Sequence, residues 1–347
     1  MSLDAPMTCW VLSEGKAGME RQCIGLAEAV GLPYTVKRVK PHWLWKDLPA
    51  FLRPDPRRTL GPGSSPIEPP WPGLLIACGR QSIPFAHAIK RWSEGHTFLV
   101  QTQNPRGDLA GYDLVVPPNH DQVSGPNVFS IVGSPHPITT ERLARAKKTF
   151  ADKFAPLPAP RVAVLIGGNS KAYKLTPARA QQTSAQLRAL AEDRVSLMIT
   201  MSRRTREKEA AIIKEALAGT NAFIWDGTPS NPYEGILAWA DAILVTADSV
   251  NMMTEAAATG RPVFVLQLDG GSPKFDRFHA ELTALGITRP FRGKLEFWTY
   301  EPLHETQRVA AEIRRHLGLE APLPARAGVT AARLLAPPPS LSKIDHY

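Results

Sequence analysis

Short apolar runs alternating with helical patterns set the architecture of this chain. Cys9–Leu12 is apolar and reads as a strand, and Ser13-Glu14-Gly15-Lys16-Ala17-Gly18 then turns the chain. Cys23, Ile24, Ala27 and Val30 recur at helical spacing and predict a helix from about Glu20 to Val30, stopped at Gly31. The second half opens the same way. Val162–Ile166 is fully apolar, as a parallel strand buried on both faces is. Gly167-Gly168-Asn169-Ser170 follows it, and a helix begins near Thr176-Pro177. Further strands are expected at Leu74–Ala77, Thr97–Gln101, Leu114–Val116 and Val128–Ile131, and in the second half at Ser196–Thr200, Ala222–Ile224, Ala242–Val245 and Val263–Leu266. Strands separated by helices imply parallel sheets, with ligands at the carboxyl ends of the strands. The expected fold class is α/β: two Rossmann-like, doubly wound domains facing a shared cleft.

A length of 347 residues fits two domains. Pro156, Pro158 and Pro160 stiffen Lys153–Arg161, which reads as a linker (153–161) between residues 1–152 and 162–319. A Pro- and Ala-rich tail, 320–347, follows. No apolar run reaches the roughly 18 residues of a membrane span, and no secretory signal is expected at the start. Cys9, Cys23 and Cys78 form an odd, scattered set that excludes a disulfide framework and suits a reducing cytosol.

The net charge of +9 favours anionic ligands. Its basic residues are dispersed and lack aromatic interleaving, so nucleic acid is not an expected partner. Trp43, Trp45, Leu48 and Phe51 lie among Lys40, Lys46, Arg53, Arg57 and Arg58. This amphipathic, basic segment is a candidate contact with an anionic membrane surface, or else a small satellite core.

Ala242–Leu266 carries the clearest chemistry. A strand runs into Thr246-Ala247-Asp248-Ser249, and a helix from about Val250 to Thr259 ends at Gly260 and Pro262. Asp248 or Ser249 is the expected N-cap. The free amides of such a helix start suit a phosphate, with Asn251 beside it. Glu255, six residues beyond Ser249, is placed to reach past the phosphate to a ribose or sugar hydroxyl. Arg203 and Arg204, at the start of a helix whose dipole disfavours them, are candidates to neutralise a diphosphate.

The first half offers a second set. Gly15, Lys16 and Gly18 form a flexible loop, with Lys16 a candidate anion ligand. Gln22 lies on the helix that follows, Arg80 lies at a strand-end turn, and Gln103, Asn104 and Arg106 form a polar loop after another strand. Pro117-Pro118-Asn119-His120-Asp121 adds His120 and Asp121. Transfer to a hydroxyl needs a base; Glu14, Glu20 and Asp121 are the alternatives. No D-x-D, G-x-G-x-x-G, Walker or nucleophile-elbow motif is present, so no obligate metal or other cofactor is expected.

The pattern S-x-x-x-x-x-E-x-x-x-x-G-x-P, from Ser249 to Pro262, resembles the donor-binding helix of B-type glycosyltransferases that use UDP- or CMP-sugars. The resemblance implies that Glu255 engages the donor ribose, and that Ser249, Asn251 and the Gly167–Ser170 turn lie near its phosphates. Over about residues 8–318 the chain resembles a narrower group, the mitochondrial-fission family of plant elongated-mitochondria proteins and its bacterial branch. Gly15-Lys16-Ala17-Gly18, Gln22, Cys78-Gly79-Arg80, Gln101–Arg106, Pro117–Asp121, Ile166-Gly167-Gly168 and Ala247-Asp248-Ser249 carry that resemblance by their order and spacing. Arg21 departs from it, since the family usually has Asn there. The bacterial branch is read as glycosyltransferases without an assigned reaction. The resemblance implies metal-independent sugar transfer to a lipid-linked or envelope acceptor by a cytoplasmic, peripherally membrane-associated protein. Two alternatives stay open: a scaffold, as the plant members recruit a dynamin-related protein, or a nucleotide-sugar epimerase.

Overall fold

The computed structural model describes residues 7–42, 55–228 and 230–319. The first half runs β1 (Cys9–Ser13), α1 (Ala17–Val30), β2 (Tyr34–Arg38), β3 (Leu74–Cys78), α2 (Ile83–Trp92), β4 (Phe98–Thr102) and β5 (Leu114–Val116). Helices α3 (Thr140–Thr149) and α4 (Ala151–Phe154) lead into the second half. There follow β6 (Arg161–Ile166), β7 (Tyr173–Lys174), α5 (Pro177–Glu192), β8 (Ser196–Met201), α6 (Glu207–Ala216), β9 (Phe223–Ile224), α7 (Tyr233–Trp239), β10 (Ala242–Thr246) and α8 (Val250–Ala257). The chain closes with β11 (Val263–Leu266), β12 (Asp269–Gly270), α9 (Pro273–Ala284), β13 (Thr288–Pro290) and α10 (Glu305–His316).

The first sheet has the order β2-β1-β3-β4-β5 and the second β13-β11-β10-β6-β8-β9, with every pairing in both parallel. Side-chain alternation along each strand explains the layers. Cys9 and Val11 of β1, with Leu74, Ile76 and Cys78 of β3, enter the core under α1. Trp10, Leu12, Leu75 and Ala77 enter the opposite core with Phe85 and Ile89 of α2. Both faces are covered, so the strands are apolar throughout, and that is why they were legible as continuous runs.

Three features depart from the sequence reading. Edge strands β2 and β13 were not expected; β2 is largely exposed and polar, so it lacks an apolar run. Val128–Ile131 pairs with the first sheet only through isolated bridges, Val115 to Val128 and Pro118 to Ile131. Pro117 and Pro118 have no N–H to extend a ladder there. The division at 153–161 is also displaced. Val132, Ile138 and Phe154 already pack in the second-half core, while Val309, Ala310 and Ile313 of α10 return to the first-half core against α1. Thus α3 and α4 pack with the second half and α10 with the first, and the Pro-rich stretch connects α4 to β6 within one body.

Among the described residues, no helix is long and apolar enough to cross a membrane. Trp43, Trp45, Leu48 and Phe51, and the tail 320–347, lie outside the described residues.

Candidate functional site

In each sheet the strand order reverses once, between β1 and β3 and between β6 and β10. Doubly wound sheets bind ligands at the carboxyl ends beside such reversals. A cleft of about 1040 Å³ lies there between the two halves. Loops after β1, β3, β4 and β5, with Gln22 of α1, form one wall, the loops contributing Glu14, Lys16, Arg80, Gln103, Asn104, Arg106, His120 and Asp121. The other wall consists of Lys171, the α8 start at Val250 and Asn251, and Lys274 and Phe275 of α9. Most of the first-half residues singled out by sequence therefore meet in one cavity, together with Asn251. Gly15 of that first loop, at φ +81, and Gly18 in the first turn of α1 do not line the cavity.

The second-half residues are mostly engaged within the protein. A side chain at Gly167 would collide with the Asp248 carboxylate, and one at Gly168 with the Arg204 backbone, so this turn needs glycine for close packing. The Asp248 side chain is fully buried and accepts from Gly168 N at 3.1 Å and Thr246 Oγ1 at 2.7 Å. It also pairs with Arg204 at 2.6 Å. Ser249, not Asp248, caps α8 by accepting from Met252 N. The Asn169 side chain accepts from Leu175 N, and Ser170 Oγ from Ala172 N and Tyr173 N. Arg203 is exposed, and neither it nor Gly167–Ser170 lines the cleft. Asp248→Ala would strand the Gly168 amide and Arg204, and is expected to cost about 2 kcal/mol. A lowered urea midpoint with an unchanged slope is the measurement that checks this.

Glu255 is the largest departure. It lies outside the cleft lining and is buried, with Arg21 Nε at 2.9 Å and the Tyr233 hydroxyl as its partners. Arg21 also donates to Glu234 at 2.8 Å; Glu234 accepts from Arg142, which in turn pairs with Glu28. The ribose ligand expected from sequence is here a strut between α1 and helices α7 and α8. Burial opposes ionisation of Glu234, but Arg142 and Arg21 outweigh it and hold its pKa below the usual range. Beside this strut, Gln103 Nε2 donates to Gln22 Oε1 at 3.0 Å, and Gln22 Nε2 donates to Asn251 Oδ1 at 2.7 Å. That relay joins the two walls. Gly133 lies so close to Thr254 of α8 that a side chain would collide with it, and its φ of +74 also favours glycine.

Each carboxylate expected to act as base is held by a cation. Glu14 pairs with Lys16 at 2.5 Å and Asp121 with Lys274 at 2.5 Å. Glu20 lies outside the cleft, accepting from Arg38 at 2.7 and 2.8 Å and from Ser13. The Arg38 hydrogen bonds hold its pKa low against burial. His120 differs. It is buried at the cleft wall, and burial with Lys274 nearby pushes its pKa down to about 4, so it stays neutral at neutral pH. Sequence reading gave no role to Arg21, Tyr233, Glu234, Arg142 and Arg38, which act through partners more than 15 residues away that no local pattern reveals, and it missed Lys171 of the cleft lining. Among the described residues, no cluster of His, Cys, Asp or Glu could hold a metal ion.

This fold of two parallel, doubly wound sheets facing a cleft is that of UDP-GlcNAc 2-epimerases. The UDP-GlcNAc 2-epimerase of Methanocaldococcus jannaschii superposes with a TM-score of 0.52 at 10% identity, covering 89% of this chain and 100% of that one. The chain belongs to the mitochondrial fission ELM1 family, whose profile matches residues 17–317. It is 31% identical to the mitochondrial fission protein ELM1 of Arabidopsis thaliana, over 88% of this chain and 90% of that protein. It is also 27% identical to an uncharacterized protein of Rickettsia prowazekii, over 89% and 98%.

Proposed function

We propose that this chain is a glycosyltransferase that moves a sugar from a nucleotide-sugar donor to a lipid-linked or envelope acceptor, without an obligate metal. The cleft between the two strand reversals carries the reading. Its volume suits a nucleotide-sugar, and its second-half wall combines the α8 start with Lys171 and Lys274. A helix start and two cations are a fitting environment for a diphosphate. The first-half wall, rich in amides and cations, faces it as the acceptor side. In a direct transfer, the acceptor oxygen bonds to the anomeric carbon as the bond to the diphosphate breaks. The hydroxyl proton passes to a cleft base, with His120 and the carboxylates Glu14 and Asp121 as the groups in reach.

Thermal-shift screening at millimolar UDP, CMP, GDP and ADP, with and without EDTA, tests this reading. One nucleotide is expected to stabilise the protein independently of EDTA, by about 2.7 kcal/mol at a hundredfold excess over Kd. The Lys171→Ala/Lys274→Ala variant is expected to lose the shift. The ion pairing of every cleft carboxylate favours a second reading, a non-catalytic scaffold. Absence of any nucleotide shift would decide for it.

A further inference from the structure

The first-half wall contains polar groups that no described residue satisfies. Arg80 follows β3, and Arg106 follows β4; both line the cleft, and neither has an ion-pair partner among the described residues. Gln101 and His120 line the same wall. Gln101 is 2% exposed; its Nε2 donates to the Thr102 carbonyl at 3.0 Å, while its Oε1 has no partner. His120 is 3% exposed, and its Nδ1 has no partner either. The sheet register makes these groups neighbours. Cys78 at the end of β3 pairs with Thr102, and Thr102 pairs with Val116 at the end of β5, so Arg80, Gln101 with Arg106, and His120 sit on three adjacent strand ends.

Buried polar atoms are normally satisfied, and leaving one unpaired is costly. Gln101 Oε1 can only accept. The neutral His120 ring offers one acceptor nitrogen. Both therefore suit hydroxyl hydrogens. Two guanidinium groups free of carboxylates match the oxygens of a phosphate, which they bind bidentately. Cations and unfilled acceptors on one wall define an anion that also carries hydroxyl groups. We propose that the first-half side of the cleft binds a polyol phosphate, with its phosphate on Arg80 and Arg106 and its hydroxyls toward Gln101 and His120. Resting on the transferase reading above, this compound is the acceptor class, and its hydroxyl faces the second-half wall.

Titration calorimetry of the full chain with glycerol 3-phosphate, inorganic phosphate and glycerol tests the site without any nucleotide. Glycerol 3-phosphate is expected to bind at least about tenfold more tightly than phosphate, with glycerol alone not binding. Arg80→Ala/Arg106→Ala, both at exposed positions, is expected to weaken glycerol 3-phosphate at least about tenfold while leaving any UDP shift intact. Gln101→Met is expected to keep phosphate binding and lose the preference for the polyol ester. Flotation with phosphatidylglycerol or phosphatidylcholine vesicles separates the two sources of this chemistry. Capture by phosphatidylglycerol that the double variant abolishes assigns a lipid headgroup; capture by neither vesicle, with calorimetric binding retained, assigns a soluble ester. Equal affinity for phosphate and its polyol ester, or unchanged binding in the double variant, would overturn the proposal. So would absence of binding at about 10 mM. Absence of every nucleotide shift, with glycerol 3-phosphate still bound, would overturn the transferase reading and leave this site standing.

Discussion

Arg21→Ala is expected to destabilise the folded chain by about 3 kcal/mol, far more than truncating a surface arginine. The carboxylate it would abandon sets the size. The Glu255 side chain is 7% exposed, and apart from Arg21 its one partner among the described residues is the Tyr233 hydroxyl. Removing one member of a buried pair leaves an uncompensated charge, at a cost of about 3–5 kcal/mol. Arg21 is itself 35% exposed, which places the expected loss at the low end. Glu234 would keep Arg142 and add little. Glu255→Gln in the Arg21→Ala background removes the stranded charge and keeps an acceptor for Tyr233, so it should recover more than half of the loss. Urea denaturation of the two single variants and the double variant yields the coupling energy. Additive costs would show that Arg21 acts only through its packing over the Tyr233 ring, 5.5 Å from the ring centroid.

The same position marks the limit of what the chain revealed locally. The Ser249–Pro262 pattern located a strand, a capped helix and a glycine stop, because each depends on neighbours within one turn. Ser249 is the cap, as its spacing allowed. Glu255 sits on that helix as expected, but its partner comes from α1, 234 positions away. Nothing within the helix encodes whether a carboxylate faces solvent, a ligand or an arginine. The first-half loops were more legible, because consecutive parallel strands place their carboxyl ends side by side. Knowing that Arg80, Gln103, Arg106 and His120 follow strands was therefore enough to place them in one cavity. The handover of α10 to the first-half core was not legible. Its apolar stripe of Val309, Ala310 and Ile313 states only that one face is covered.

Acidification is expected to weaken the fold between pH 6.5 and 4, with His136 responsible for about 3 kcal/mol of the loss. His136 lies where the first half crosses to the second. Its backbone N–H donates to Thr306 Oγ1 of α10, and its carbonyl accepts from the same hydroxyl. The ring is 2% exposed; its Nδ1 accepts from Ile138 N at 3.2 Å, so the proton of the neutral ring sits on Nε2. Burial, then the nearby Arg21 charge, lowers its pKa to about 4. An unfolded histidine titrates near 6.5, so the unfolded chain binds the proton first as pH falls. The stability conferred by the neutral ring is thus complete above about pH 6.5 and is lost progressively down to the folded value. A shift of about 2.5 units at 1.36 kcal/mol per unit gives the stated size. His136→Asn keeps an acceptor for the Ile138 amide and cannot titrate. Its stability should fall less over this window than the parent's, retaining the part due to His120, whose pKa is lowered to a similar value, and to His87 and His279, which burial also lowers. Arg21→Ala removes a positive charge beside His136, so it should raise the folded pKa of that ring and shrink the stability His136 loses on acidification, even as it lowers stability at neutral pH. Parallel pH–stability curves for the parent and His136→Asn would show that another group governs the acid transition.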